Sequence, residues 1–432
     1  MFLSSILARQ PPGVMPFMQG YDLFGGWSSS AGKTVSPETA KTVATAYRCI
    51  NVLSDDVAKI PIQMYSSPQR GKIDRIYPDA AVKNLPYLLE VQPNRYMSPF
   101  LFKKSLIQWL LSWGNAFVWL PLQQGQQREM FVLRGDSTAP YYDKNGNLWY
   151  RTVFNSGEMA FLPAVEVLAL MINSIDGIYG RSVIEFARES IGRQLGAYET
   201  QGKMYSQGLN PSGIVYVNGD AGDEARDKIR SEFEKRMSGS QNAYRLAVMD
   251  QKVMKFEPIA MKPIDIQFLQ GINATDVEIC NFFGMPLNKV NQGKQSYNSN
   301  EQNNLDYLSG TLDPYLVQIE QAARIKWIPE AKQGTQYYRF YRKALLQIDA
   351  QAQADVNMKE IQNGMRNANE AREDLDLGWY EGGDQFWQSR NFAPVNSDIF
   401  KNGGVAGGEN QNPAGPGAES SSTGSSGDSG SA

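Results

Sequence analysis

Histidine is absent from all 432 residues. This removes the commonest general base and the commonest metal ligand. Ser-His-Asp, Cys-His and His-zinc chemistry is therefore excluded. Cysteine is scarce: Cys49 and Cys280 stand far apart, with no metal or redox spacing. Such usage suits a reducing compartment or indifference to redox state. Positive charge is not in excess either. Lys and Arg number 42 against 45 Asp and Glu, a formal −3, so the chain does not hold nucleic acid by bulk positive charge. A convincing signal peptide is missing, because "MFLSSILARQPP" has too short an apolar core. The most apolar run, "SLIQWLLSWGNAFVWLPL" at 105–122, is interrupted by Gln108, Gly114, Asn115 and Pro121. It reads as a helix turning into a strand, and no membrane partner is expected.

Catalytic motifs are missing as well. There is no glycine-rich oxyanion loop, no nucleophile elbow and no cluster with metal-ligand spacing. Asp55-Asp56 and Glu373-Asp374 are sequence neighbours, so on a helix they point in different directions. The reading is of a protein that is not an enzyme, with no cofactor and no metal. One stretch tests that reading. "GGWSSSAGKT" at 25–34 resembles a phosphate-binding loop, which would make the chain an ATPase. A working loop places four residues between its glycines, follows a buried strand and opens a helix. Here five residues, Trp27 to Ala31, separate Gly26 from Gly32, and "PGVMPFMQGYDLF" precedes them. The stretch is read as part of a flexible N-terminal arm, residues 1–35.

What is present organises into an α+β chain. Ser36, Pro37 and Glu38 make a good helix start. Val43, Tyr47, Ile50, Leu53 and Val57 then form one apolar stripe, and Pro61 ends it. A second helix is expected at about 98–113. Strands follow in "NAFVWLPL", "MFVLRG", "YYDKNGNLWYRTVF" and "VEVLALMI", with a hairpin at Asn145-Gly146. Residues 36–180 thus form one mixed domain. Residues 181–208 are a long helical stretch closed by Gly208. A small β-α-β-β unit occupies 210–263, with strands "GIVYV", "RLAVM" and "KFEPI" and a charged helix at 222–239. A returning helix follows. On it Leu269, Ile272, Ile279, Cys280 and Phe283 share one side, and Gln267, Gln270, Ala274, Glu278 and Asn281 the other. Asp276 falls on the apolar side and should pair with a base, Arg188 or Arg193.

The next segment has too little apolar content to bury itself. It offers Lys289, Asn291, Gln292, Lys294, Gln295, Ser296, Tyr297 and Asn298, with Gly293 as a pivot. Amides and hydroxyls can touch phosphate oxygens without reading bases, and two lysines give weak attraction only. A long helix, a strand at 337–348 and a helical stretch at 349–377 complete the ordered part. From Asn396 the chain is rich in Gly, Ser and Asn and is read as disordered.

Seven stretches, in this order, carry a resemblance: "VSPETAKTVATAYRCINVLSDDVAKIPIQMY", "LLSWGNAFVWLPL", "GIYGRSVIEFARESI", "GLNPSGIVYV", "EICNFFGMPLNKVN", "SYNSNEQNNLDYLSGTLDPYLVQIEQ" and "GMRNANEAREDLDLGWYEGGD". Over about 36–390 the chain resembles the HK97-like portal proteins of tailed double-stranded DNA phages. The resemblance implies a ring of about twelve copies at one capsid vertex. Double-stranded DNA is packaged and ejected through its central channel.

The resemblance also implies a division of the chain. Residues 36–180 and 302–344 are the wing, 181–209 and 264–285 the stem helices, and 210–263 the clip. Residues 286–301 are the tunnel loop, 345–395 the crown and 396–432 a disordered tail. Gln267, Gln270, Glu278 and Asn281 would line the channel, together with the tunnel-loop residues from Lys289 to Asn298. Arg226, Arg230, Glu234 and Arg236 would face the terminase large subunit, which supplies ATP hydrolysis. The major capsid protein and a head-tail adaptor are the other implied partners, with the virion as the site of action and the host cytoplasm as the site of assembly. Another ring-forming neck or adaptor protein is the alternative reading.

Overall fold

The computed structural model describes residues 14–15, 26–69, 72–123, 126–127, 129–207, 213–217, 222, 224, 227–228, 231, 254–258, 265–290, 300–345, 350–373, 375 and 377–387. The chain divides into two compact units, Met1–Gln347 and Ile348–Ala432.

The first unit opens with β1 (Val14–Met15) and a hairpin of β2 (Trp27–Ser28) and β3 (Thr34–Val35). Residues 26–35, expected as part of a flexible arm, are thus folded. The short helix α1 (Pro37–Ala40) starts at Ser36 with a full capping box: Ser36 Oγ accepts from Thr39 N, and Thr39 Oγ1 accepts from Ser36 N. The helix breaks and restarts as α2 (Ala44–Lys59). Val43 is extended and precedes the helix, yet it is fully buried, and the buried face continues through Ala46, Cys49, Ile50, Leu53 and Val57. Tyr47, expected in the stripe, is 54% exposed.

The strands β4 (Ile62–Gln69) and β5 (Lys72–Ile76) lead to α3 (Leu85–Glu90) and α4 (Pro99–Trp113). Ser98 caps α4 through Leu101 N. Gly114 ends it at φ 79°, a left-handed conformation that glycine adopts without strain. The chain then runs straight into β6 (Asn115–Trp119). Next come β7 (Leu122–Gln123), β8 (Gln126–Gln127), β9 (Phe131–Leu133), β10 (Ala139–Asp143), β11 (Leu148–Val153), β12 (Met159–Pro163) and β13 (Val167–Met171). The Asn145-Gly146 turn joins β10 to β11, with Asp143 Oδ1 accepting from the backbone of both Asn145 and Asn147.

The helical stretch after 180 is two helices, α5 (Val183–Phe186) and α6 (Arg188–Gln207). The strands β14 (Gly213–Val217) and β15 (Met254–Pro258) pair antiparallel. Then α7 (Asp265–Phe282) and α8 (Asn300–Tyr307) follow. A π-helical turn (Leu308–Leu312), closed by Asp313 N donating to Leu308 O, carries α8 into α9 (Asp313–Trp327). The strand expected at 337–348 is shorter: β16 (Gln336–Phe340) gives way to a 3-10 turn at Arg342–Leu345.

β16 pairs antiparallel with β4, which places Tyr338 opposite Met64 and sets the order β16-β4-β5. The other sheets are β13-β6-β9 and β1-β10-β11-β12. A large apolar core gathers α2, α4, α7 and α9, with Leu53, Ile107, Leu110, Ile279 and Leu312 all essentially inaccessible. A smaller one joins Phe117, Trp119, Tyr150 and Leu162.

In the second unit the helical stretch is broken at Gly364 into α10 (Ala350–Gln362) and α11 (Ala368–Glu373). The rest of the expected arm, most of the charged helix at 222–239, the strand at 245–249 and the tail at 396–432 lie outside the described residues.

Candidate functional site

Two stretches of the sequence lock against one another where α4, β6 and α5 meet. Asn115 Oδ1 accepts from Gly180 N at 2.7 Å, and Asn115 Nδ2 donates to Gly180 O at 2.8 Å. Ser182 Oγ donates to Ser112 O at 2.6 Å. A side chain at position 180 would sit 2.3 Å from Gly114 O and 2.5 Å from Ile172 O. Backbone meets backbone here, so only glycine fits. This junction fixes where α5, and hence α6, leaves the domain.

From there α6 runs beside α7. Ser190 Oγ donates to Glu278 Oε2 at 2.6 Å, and Gln194 Nε2 donates to Asp276 Oδ1 at 2.8 Å. Rising numbers on one helix meet falling numbers on the other, so the pair is antiparallel. The described part of α7 divides as its periodicity requires. Ile279 and Cys280 are buried, as is Phe283 just beyond the helix. Ala274, Glu278 and Asn281 are exposed. Gln267 and Gln270 lie on the same helix.

The ionic partners differ from the expectation. Arg193 pairs with Glu278, each side chain about half exposed. Arg188 Nη1 donates to Glu185 O at 3.0 Å, and its Nε lies 3.9 Å from Glu189. The buried Asp276 accepts instead from Thr45 Oγ1 on α2 at 2.5 Å and from Gln194. The reason is the helix wheel. Gln194 is four residues after Ser190 and faces the buried side, whereas Arg193 leans to the solvent edge. Thr45 and Gln194 were not singled out in the sequence. Nothing local marks them, because both contacts join segments more than eighty residues apart.

Electrostatically the two helices are close to balanced. Together α6 and α7 carry three bases and five acids, a net −2. Glu278, expected to line the channel, is compensated within its own chain by Arg193. Such a half-exposed pair contributes under about 1 kcal/mol.

At the end of α7 the chain turns at Gly284, whose carbonyl accepts from Thr311 Oγ1 at 2.7 Å. A 3-10 turn, Leu287–Val290, follows. Lys289 was expected in the tunnel loop, residues 286–301. Its ammonium donates to Asn304 Oδ1 at 3.0 Å and lies 5.0 Å from the Tyr307 ring centre. Tyr307 OH donates to Asp56 Oδ2 at 3.1 Å on α2. Burial first, and then Asp56, hold that phenol above its ordinary range. Lys289 is therefore tied to α8. Asn291, Gln292, Lys294, Gln295, Ser296, Tyr297 and Asn298 lie outside the described residues, as do Arg226, Arg230, Glu234 and Arg236. A groove of about 520 Å³ beside this turn is lined by Ile172, Asn281, Phe282, Thr311 and Tyr315, among others.

The stretch that resembled a phosphate loop is the β2–β3 hairpin. Ser30 donates to Glu189 Oε2 from its backbone nitrogen at 3.0 Å and from its hydroxyl at 2.5 Å. Lys33 forms an ion pair with Glu199. The hairpin is thus anchored along α6 by two carboxylates, and its lysine is engaged. Among the described residues no group of three or more Cys, Asp or Glu could hold a metal ion. No described helix is long and apolar enough to cross a membrane.

The family model for phage portal proteins matches residues 44–376. The chain belongs to the phage portal protein family. A probable portal protein of Streptomyces phage phiC31 is 23% identical over 377 residues, covering 82% of this chain and 78% of the relative. The portal protein of Enterobacteria phage HK97 is 23% identical over 381 residues, covering 84% and 85%. Solved structures show the same portal fold. A chain in the neck of an empty gene transfer agent particle, computed with C6 symmetry, has a TM-score of 0.52 at 20% identity, covering 78% of this chain and 90% of that one. The crystal structure of a HK97-family phage portal protein from Corynebacterium diphtheriae also gives 0.52, at 16% identity, covering 71% and 95%. Portal proteins are structural components of the virion, and ring assembly agrees with neighbours that sit in C6- and C12-symmetric particle necks.

Proposed function

We propose that about twelve copies of this chain close into a ring at one capsid vertex, with α6 and α7 lining a channel for double-stranded DNA. In this reading 36–180 and 302–344 form the wing, 210–263 the clip and 345–395 the crown. The match to the portal family over residues 44–376 carries the reading. The near-balanced charge of α6 and α7 supports it. A binder gains by neutralising phosphates, whereas a conduit must let them slide. A wall with compensated charge and exposed Asn281 offers contacts that break and re-form cheaply. Lys289, held by Asn304 and Tyr307, positions the foot of the tunnel loop.

The partners follow from the same assignment. The terminase large subunit docks at the clip, where Arg226, Arg230, Glu234 and Arg236 stand in the sequence. The head-tail adaptor replaces it after packaging, and the major capsid protein surrounds the ring. Assembly takes place in the host cytoplasm. Electron microscopy of the purified protein should show rings with a central opening. Particles made without the chain should be empty of genome. A chain that stays a single molecule under assembly conditions, with particles that fill normally in its absence, would end the proposal.

A further inference from the structure

Cys49 and Cys280 are the two cysteines of the chain, both fully buried and both free thiols. The channel reading does not use them. Their sulfurs stand 4.0 Å apart across the contact of α2 with α7. One helical turn earlier on both helices, Thr45 meets Asp276. Each pair is separated by the same 231 residues. Four residues is about one turn on either helix. The two pairs are therefore successive rungs of a single parallel register between α2 and α7.

We propose that Cys49 and Cys280 are a latent cross-link site: a disulfide closes between them in released particles and fixes the register of α7 on α2, while the reduced pair leaves α7 free to shift during packaging. The timing rests on the portal reading. The cross-link itself rests on the geometry alone. Cytoplasmic thiols are kept reduced, and virion surfaces are oxidising.

Bond formation requires the sulfurs to approach from 4.0 Å to about 2.0 Å. Cys49 donates its S–H to Cys280. That bond lowers Cys280 below an ordinary thiol and, with burial, raises Cys49 well above one. Cys280 is thus the nucleophile. With a peroxide as oxidant, the Cys280 thiolate attacks one oxygen, the O–O bond breaks, and a sulfenic acid forms as hydroxide leaves. The sulfur of Cys49 then attacks that sulfur. The S–O bond breaks, the second oxygen departs as water, and the S–S bond forms. Two electrons pass from the two sulfurs to the peroxide, and both thiol protons end in the two waters.

The test uses the full chain. Hydrogen peroxide is added, remaining thiols are alkylated in denaturant, and peptides are mapped by mass spectrometry with and without reductant. The expected product is a reducible Cys49–Cys280 peptide pair within one chain, absent in Cys49→Ser and in Cys280→Ser. Amide exchange over 274–283 should slow by about tenfold on oxidation and recover on reduction. Released particles dissolved directly into alkylating denaturant should carry the linked pair. Three results overturn the proposal: covalent dimers or sulfinic acid in place of the internal link, a link with unchanged exchange, or released particles holding only alkylated thiols. All are read on the cysteines, so they stand apart from whether the chain forms rings, which microscopy of the same sample reports.

Discussion

The first unit hides Ile107, Leu110, Leu111 and Phe117 almost completely, whereas the second leaves Trp379, Tyr380, Phe386 and Trp387 each at least half exposed. Among the described residues of the second unit the buried positions are Ala371, Gly383 and three asparagines, Asn357, Asn367 and Asn369. Among the described residues, apolar burial dominates in the first unit and directed hydrogen bonds in the second. Asn367 and Glu370 form a capping box at the start of α11. Asn369 Nδ2 donates to Tyr380 O at 3.1 Å and to Asp384 Oδ1 at 2.9 Å, while its Oδ1 accepts from Tyr380 N at 3.1 Å. Its backbone nitrogen donates to Gly383 O at 3.1 Å. A core loses stability in proportion to the volume removed. A hydrogen-bonded knot fails when one amide is deleted. The two units should therefore respond to different substitutions.

The strongest break in that contrast comes at the glycine junction. Gly180→Ala forces a side chain onto Gly114 O and Ile172 O, and backbone cannot yield cheaply. A loss of about 3 kcal/mol or more is expected, read by denaturant titration and by amide exchange of α4 and α6. Unchanged stability would show that this contact is looser than the geometry requires.

Second in size is the pH response of Lys103. Burial lowers its pKa from 10.5 to about 8, against an opposing pull from Glu90. The unfolded chain then binds the extra proton between about pH 8 and 10.5 and the folded one does not. The penalty for burying this charge is therefore full below pH 8 and is relieved as pH rises through that window, by up to about 3 kcal/mol. Lys103→Met should flatten that rise in stability. A slope that persists in the variant assigns it to other groups.

Asn369→Ala should cost about 2 kcal/mol locally, since it deletes three side-chain hydrogen bonds at one residue. The readout is amide protection over 368–384, with α4 as the internal reference. Equal loss in both regions would erase the contrast between the units. Smallest of all is Arg193→Ala, expected to change stability by under about 1 kcal/mol because the pair with Glu278 is half exposed. Its use lies in function. Glu278→Gln leaves Arg193 unpaired on every copy, so packaging should slow and become more salt-sensitive, while Arg193→Ala should not slow it.

Local chemistry was legible at once. The Ser36 cap, the Asn145-Gly146 turn and the conversion of the 105–122 run into a helix, a glycine and a strand each depend on neighbours within a few residues. The stripe was legible except at one position: Val43, Ile50, Leu53 and Val57 are buried as expected, while Tyr47 faces out. The family was legible from seven stretches in order, and residues 44–376 match it. The candidate site was read less well. Glu278 and Lys289 were chosen for their type, yet each is held by a partner whose identity depends on how two distant segments meet.

The sequence by itself determined where helices begin and end, which residues are chemically able to act, and that histidine chemistry is closed to this chain. Only the tertiary structure decided that Asp276 is satisfied by Thr45 and Gln194, that Arg193 neutralises Glu278, and that two cysteines 231 residues apart touch. The physical reason is range. Caps and turns are satisfied by atoms a few bonds away, whereas a buried carboxylate or thiol takes whichever partner the packing of whole helices delivers.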